Sequence, residues 1–302
     1  MNFAGIGWTN VQALRRKGID ARLVVFNTQP AHPEADESLH LPRGPAWRRQ
    51  AVQFRALAKL LPSTDVFHFY FGLTLVPKRI QFPILKAARK KSVFHFVGSD
   101  IRGKSPDELA YGLLADAQIV GSYDAARWIP EADVVPPGID LGAIAPVPPR
   151  VDGQLRIAHA ALSRRRKRTE LVVAACDELG LDLDVIENVR HDEVGLRLAR
   201  ADIVVDQLNS GWYGLFAIEA MAYGKPVVGY LHDEAATRTA AAFGVEVPIV
   251  RTTKETLATA LRTLAASDEE RRSRGAAGRT YVERVHDADK MADRLIDIYS
   301  RL

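Results

Sequence analysis

The chain has 302 residues, a length that suits about two domains, and its 47% hydrophobic and 26% charged residues supply an ordinary globular core. One cysteine, Cys176, excludes an intrachain disulfide and any multi-cysteine metal site, and fits a reducing cytoplasm. No apolar run approaches the ~18 residues of a membrane span, and the stretch from Met1 to Gly7 has neither a basic nor an apolar signal region.

The net charge of +4 is uneven: residues 1–150 hold 19 basic against 13 acidic residues, and residues 151–302 hold 22 against 24. Clusters at Arg43, Arg48 and Arg49, then at Lys86, Arg89, Lys90 and Lys91, supply much of the excess. A solvated surface is the first reading. The sharper one is attraction to an anionic acceptor, or peripheral contact with an anionic membrane at the inner face. Nucleic acid is not expected, because no aromatic and basic stacking platform accompanies the charge.

In chain order, residues 3–10 read as a glycine loop leading into a helix at 10–17. A parallel nucleotide-binding sheet opens with a central strand ahead of such a loop, and here no residues remain to form it. Either the chain begins downstream of its natural start, or the first sheet is one strand short. Strands follow at 21–26, 66–70, 92–97, 118–121 and 133–135, with helices at 47–61, 83–91 and 109–114. A proline-rich link from Pro136 through Pro146, Pro148 and Pro149 halts regular structure. Strands then resume at 155–159, 183–186, 203–206 and 227–230, alternating with helices at 168–179, 194–200, 234–243, 253–267, 268–285 and 287–302. Such alternation implies parallel βαβ units in two sheets, whose ligands sit outside the C-terminal strand ends.

The most informative stretch is 211–228 (GWYGLFAIEAMAYGKPVV). Its first glycines let backbone N–H groups approach an anion at a helix N-terminus, where the dipole favours negative charge. Glu219 follows a turn later and reaches hydroxyls beside that anion. Phosphate with adjacent hydroxyls describes a nucleotide. The stretch resembles the signature of the retaining glycosyltransferases of family 4, with Glu219 at the second glutamate of their Glu-(seven residues)-Glu motif and Gly211 where the first would stand. The resemblance covers nearly the whole chain. Asp65-Val66-Phe67-His68-Phe69 is similar to the family's Asp-apolar-apolar-His strand, 94–102 (FHFVGSDIR) to its His-Gly-Ser-Asp-apolar-Arg segment, and 136–140 (PPGID) to its Pro-Asn-Gly-Ile-Asp link.

The resemblance implies the α/β GT-B fold: two Rossmann-like domains with parallel sheets facing across a cleft. An acceptor domain would span 1–145, a nucleotide-sugar domain 146–285, and a terminal helix, 286–302, would return to the first. It also implies sugar transfer from a nucleoside-diphosphate sugar to a glycan, lipid-linked or small-molecule acceptor, with retention, and with no metal or other cofactor. Arg164 and Lys167 take the family's Arg and Lys positions beside the donor diphosphate. Arg168 stands where the family has Gly. His95 and Asp100 are the catalytic candidates on the acceptor side, His95 lying two residues before the family's histidine position, which is Val97. Gly214, Leu215, Phe216, Glu219, Gly7 and Glu187 are the donor-binding candidates, Asp206 and Gln207 sit close upstream of Gly211, and His68 and His159 fall at strand ends facing the cleft.

Three other motifs have weaker readings. Residues 98–105 (GSDIRGKS) satisfy the P-loop pattern, but Asp100 would put a carboxylate in the anion cradle and Pro106 follows at once. Asp182-Leu183-Asp184 enters a strand, so both carboxylates point to one, solvent-facing side. Gly5-Ile6-Gly7 is half a dinucleotide fingerprint without its strand. A nucleotide-sugar-binding protein that has lost catalysis, and then a P-loop NTPase, are the alternative functions.

Overall fold

The computed structural model describes residues 2–147, 154–161 and 164–302; Pro148 and Pro149 of the link and Ser163 of the basic turn lie outside them. Packing divides the chain into one unit of Met1–Pro137 with Met291–Leu302 and another of Gly138–Lys290. The division falls inside the link, earlier than the 145/146 boundary expected from proline density. The reason is Ile139: it is buried, its N–H donates to the His286 carbonyl (2.8 Å), and its carbonyl accepts from Ala288 N–H (3.1 Å).

The first unit contains α1 (Ile6–Arg16), β1 (Val24–Val25), β2 (Glu37–Ser38), α2 (Ala46–Leu60), β3 (Val66–Tyr70), α3 (Lys78–Ala87), β4 (Lys91–Phe96), α4 (Gly98–Ile101), α5 (Pro106–Leu109), β5 (Ala117–Val120) and β6 (Asp133–Val134). Its main sheet is parallel, in the order β3-β4-β5-β6, while β1 and β2 form a separate parallel pair. Phe67, Phe69, Phe82, Phe94, Phe96 and Ile101 build the core. In β3 these phenylalanines alternate with His68 and Tyr70, so the strand divides its two faces between an aromatic core and a polar cluster.

The expected strand at 21–26 shrinks to Val24–Val25, and the helix expected from residue 10 already starts at Ile6, after Gly5 turns through a positive φ of 70°. The helix expected at 83–91 begins at Lys78 and carries Pro83 inside it.

The second unit contains β7 (Arg156–Ala160), α6 (Arg164–Lys167), α7 (Thr169–Leu179), β8 (Asp182–Ile186), α8 (His191–Arg200), β9 (Ile203–Val205), α9 (Leu215–Ala222), β10 (Val227–Gly229), α10 (Asp233–Phe243), β11 (Val250–Arg251), α11 (Leu257–Ala266) and α12 (Asp268–Val285). Its sheet is parallel, in the order β11-β10-β9-β7-β8, with β7 paired on both sides. Ile157, Val172, Cys176, Ile203, Val205 and Leu261 pack between sheet and helices, so Cys176 is a small core residue. Helix α12 approaches the end of α9 closely: a Cβ on Gly275 would land on the Gly224 carbonyl. The last helix, α13 (Ala288–Ser300), belongs to the first unit from Met291 onward. Among the described residues no helix is long and apolar enough to cross a membrane.

Candidate functional site

The C-terminal ends of the second unit's strands gather most of the expected residues. After β7 the chain enters α6, which carries Arg164 and Lys167. Arg164 holds Glu187, the residue after β8, through Nε (3.0 Å) and a terminal nitrogen (2.9 Å), and reaches Glu170 at 3.2 Å. Lys167 Nζ lies 2.5 Å from Asp206 Oδ1, just after β9, and Asp206 is only 1% exposed. The other oxygen of Asp206 accepts the Gly214 N–H at 2.8 Å. One carboxylate therefore ties the expected lysine to the N-terminus of α9.

This changes the expected role of Gly214, whose N–H already has an acceptor. The N–H groups of Leu215 and Phe216 lie in the first turn of α9, where a helix offers no internal acceptor. Glu219, further along α9, accepts from or shares a proton with His191 Nε2 at 2.7 Å. Arg168 takes the left-handed conformation itself, at φ 59°, so the turn follows the path a glycine would give it.

Gly211 also has a positive φ, 71°, and a Cβ there would land on the His232 imidazole. His232 N–H donates to the Gly211 carbonyl at 2.8 Å. An imidazole thus packs where the side chain of the first motif glutamate would start. Gln207 donates to the Trp212 carbonyl, which fixes it to the same loop.

Two features were invisible in the sequence. Tyr213 is buried, and its hydroxyl meets Tyr281 (2.6 Å) and His286 Nε2 (3.0 Å), which anchors the glycine loop to α12. Burial, then the neighbouring Tyr281, pushes the Tyr213 phenol well above its usual range. His159 is fully buried, its nitrogens against the Val205 carbonyl (2.8 Å) and the Thr169 hydroxyl (3.0 Å). It braces β7 to β9 and α7 instead of facing a cleft, and burial lowers its pKa.

Gly7, His95 and Asp100 belong to the first unit. Gly7 is buried in the first turn of α1 beside Leu23 and Asn2. His95 is 5% exposed, stacked near His68 (5.5 Å between rings) and Tyr70 (5.1 Å), and burial pushes its pKa down to about 3. It is a neutral imidazole at physiological pH. Asp100 accepts the Val97 N–H at 3.0 Å within the turn of α4. The P-loop pattern resolves into two short turns, α4 and α5, with Ser105 capping the second, and no long helix follows the lysine. Asp182 and Asp184 are paired with Arg156 (2.9 Å) and Arg197, and among the described residues no acidic, histidine and cysteine cluster has metal-site geometry.

No protein-family model and no curated protein matches the chain. Solved structures do. Sucrose-phosphate synthase from Thermosynechococcus elongatus is similar over 97% of this chain and 91% of its own, at 17% identity and a TM-score of 0.69. Anabaena HepE, solved with UDP and glucose, is similar over 99% and 96%, at 14% identity and 0.70. The lipopolysaccharide outer core galactosyltransferase WaaB, in its apo form, is similar over 100% and 97%, at 13% identity and 0.67. The chain has the GT-B fold. In GT-B terms the two Rossmann-like units are Met1–Pro137 with Met291–Leu302, and Gly138–Lys290, and the cation and helix cluster lies on the second.

Proposed function

We propose that the protein is a retaining, metal-independent glycosyltransferase that takes a sugar from a nucleoside-diphosphate donor bound by the second unit. The observation that carries this reading is the convergence of Arg164, Lys167, the first turn of α9 and Glu219 at one sheet edge. The solved structures with this fold add support: one was obtained with UDP and glucose, and two are described as a synthase of sucrose phosphate and a galactosyltransferase.

In this reading the departing diphosphate meets charge already aimed at it. Arg164 offers a planar fork and Lys167 an ammonium, each released from its carboxylate partner as the phosphates arrive. The Leu215 and Phe216 N–H groups complete the cradle, and Glu219 accepts the ribose hydroxyls. Such preorganised electrostatics act mainly as leaving-group charge develops. Glu187 and Gly7 are proposed as further donor contacts, and His95 and Asp100 as acceptor-side groups. His95 would act as a neutral hydrogen-bonding group.

Arg164→Ala is therefore expected to lower kcat by roughly 10²-fold while changing the donor Kd much less, because its charge is needed most in the transition state. Glu219→Gln should raise the donor Kd about tenfold, equivalent to about 1.4 kcal/mol. Thermal shifts with UDP-, GDP- and ADP-sugars, followed by transfer and hydrolysis assays, test both. If no donor shifts the melting temperature, the nucleotide-sugar reading fails. Binding without turnover on any bound donor would favour a catalytically impaired binding protein, the reading that Gly211 supports.

A cytoplasmic protein with peripheral membrane contact is proposed on a second observation. Helix α2 has no acidic residue, exposes Trp47 (64%) and Phe54 (40%), and carries Arg48, Arg49, Arg55 and Lys59. Apolar anchors beside basic residues suit an anionic lipid surface. The chain should sediment with phosphatidylglycerol vesicles at low salt and lose most of that binding in Trp47→Ala/Arg48→Glu/Arg49→Glu. No sedimentation at low ionic strength, where screening is weakest, would exclude it.

A further inference from the structure

The glycine loop ahead of α9 is held from two directions. Toward the sheet, His232 N–H donates to the Gly211 carbonyl (2.8 Å), Gln207 and Ser210 donate to the Trp212 carbonyl, and Gly214 N–H donates to Asp206 (2.8 Å). These partners all follow β9 or β10 in the chain. Toward α12 the loop is held by Tyr213, whose hydroxyl meets Tyr281 (2.6 Å) and His286 Nε2 (3.0 Å). Tyr281 lies on α12, and His286 directly follows that helix.

The ring and the hydroxyl of Tyr213 have separable effects. The ring packs on Trp212 with centres 4.7 Å apart and meets Tyr281 and His286 edge-on. A phenylalanine would pack the same way. The hydroxyl adds direction. It stays protonated in its buried setting, so it donates one hydrogen bond and accepts another. Tyr281 O–H to Tyr213, with Tyr213 O–H to His286 Nε2, satisfies the chain in one order, and the reverse order satisfies it equally. Removing the middle oxygen breaks both bonds.

His286 carries this link onward. The chain passes between the two units at Pro137–Gly138 and again at Lys290–Met291. Within the second unit the two passages run side by side. Ile139 pairs in parallel with Asp287, its N–H donating to the His286 carbonyl (2.8 Å) and its carbonyl accepting from Ala288 N–H (3.1 Å). Asp287 Oδ1 in turn accepts the N–H groups of Asp289 (2.9 Å) and Lys290 (3.0 Å) in the first turn of α13. The His286 imidazole therefore serves the glycine loop, and its carbonyl serves the first passage. Arg279 of α12 adds a parallel tie, donating to the Ile144 carbonyl (2.8 Å) and to the Ala222 carbonyl at the end of α9 (2.9 Å). Both ends of α9 are thus fastened to α12, and α12 to both passages.

We propose that the Tyr213 hydroxyl is a positioning group that sets the first turn of α9 against α12 and, through His286, makes the order of that turn and the order of the paired passages one equilibrium. A loop built around Gly211 and Gly214 gives up much backbone freedom when it is ordered, so a directional tether has its largest effect there. The consequence for transfer rests on the nucleotide-sugar reading above. A nucleoside diphosphate on the Leu215 and Phe216 N–H groups tightens the passages at Ile139 and Ala288, and by reciprocity ordered passages favour the nucleotide.

Hydrogen exchange on the full chain tests this. Ala217 and Ile218 amides, which donate to the Gly214 carbonyl (3.1 and 3.2 Å), report on the loop, Ile139 and Ala288 amides on the passages, and residues 157–160 of β7 are the control. Without nucleotide, Tyr213→Phe should speed exchange at loop and passages about fivefold to tenfold, the loss of a buried hydrogen bond, and leave the control within about twofold. His286→Leu should do the same. The double variant should add little to either single one, because both break one link. His286→Gln, which keeps a polar atom near the Nε2 position, should restore most of the protection. UDP, GDP and ADP are then added singly. The one that binds should slow Ile139 and Ala288 about tenfold in the parent and less than about twofold in Tyr213→Phe, where kcat with the matching sugar should fall more than KM changes. If none binds, the nucleotide-sugar reading fails, and exchange without nucleotide still decides the link. The proposal is overturned if Tyr213→Phe leaves Ile139 and Ala288 unchanged, or speeds the control equally, as a purely global loss of stability would. It is also overturned if the effects of the two single variants multiply, or if nucleotide protects the passages as well in Tyr213→Phe as in the parent.

Discussion

Asp206→Ala is expected to destabilise the second unit by about 3–5 kcal/mol, the range for removing one partner of a buried ion pair. The carboxylate is 1% exposed, touches Lys167 Nζ at 2.5 Å and accepts the Gly214 N–H at 2.8 Å. Its loss leaves an ammonium with no counter-charge and a backbone donor with no acceptor, the latter alone costing about 1–3 kcal/mol. Lys167 keeps some access to solvent, its side chain being 20% exposed, which moderates the first term. Asp206→Asn preserves an acceptor for Gly214 and should cost roughly half as much. Combining Asp206→Ala with Lys167→Ala should recover about 1–3 kcal/mol of coupling, because the stranded charge is gone. Urea melts of the three variants measure this. A loss under about 1 kcal/mol for Asp206→Ala would show that Lys167 and Gly214 find other partners, and that the carboxylate does not organise the start of α9.

The parts of this fold written in local pattern were legible in the sequence. Residues 66–70 alternate Phe with His and Tyr, and the strand falls there without adjustment. Helix α12 announces its start through Ser267, whose hydroxyl accepts the Glu270 N–H (3.1 Å), and three acids in its first turn. The positions of Arg164, Lys167 and Glu219 came from motif order along the chain. Their partners did not. Asp206 is 39 residues from Lys167, Glu187 is 23 from Arg164 and His191 is 28 from Glu219, so each pair exists only once the sheet brings strand ends together. His159 misled for a related reason: a histidine at a strand end reads as polar and accessible, and only the packing of α7 shows that Thr169 and the Val205 carbonyl satisfy both nitrogens. The strand expected at 21–26 is short because strand length is a property of the pairing, and among the described residues β1 pairs with β2 alone, over two residues.

Restoring the motif carboxylate with Gly211→Glu is expected to damage the protein instead of improving it. Gly211 sits at φ 71°, a conformation that costs an L-residue about 1–2 kcal/mol. Its added Cβ would also land on the His232 ring, and overpacking of that kind costs about 1–3 kcal/mol more. The backbone cannot retreat easily, because His232 N–H holds the Gly211 carbonyl at 2.8 Å and the imidazole packs edge-on against Tyr230 with ring centres 5.4 Å apart. Gly211→Ala should therefore destabilise nearly as much as Gly211→Glu, since the first carbon carries most of the penalty. His232→Ala opens the space, so the double variant Gly211→Glu/His232→Ala should regain the overpacking part and keep only the conformational part. Donor turnover then separates two roles for the imidazole. If His232 simply fills a space left by evolution of the loop, the double variant transfers sugar at least as well as the parent. If His232 reads the donor sugar in place of a carboxylate, turnover on the parent's preferred donor falls in His232→Ala and is not rescued by the glutamate. A single Gly211→Glu variant as stable as the parent, within about 0.5 kcal/mol, would show that the ring yields freely and that the exclusion of a side chain at residue 211 is not built into this site.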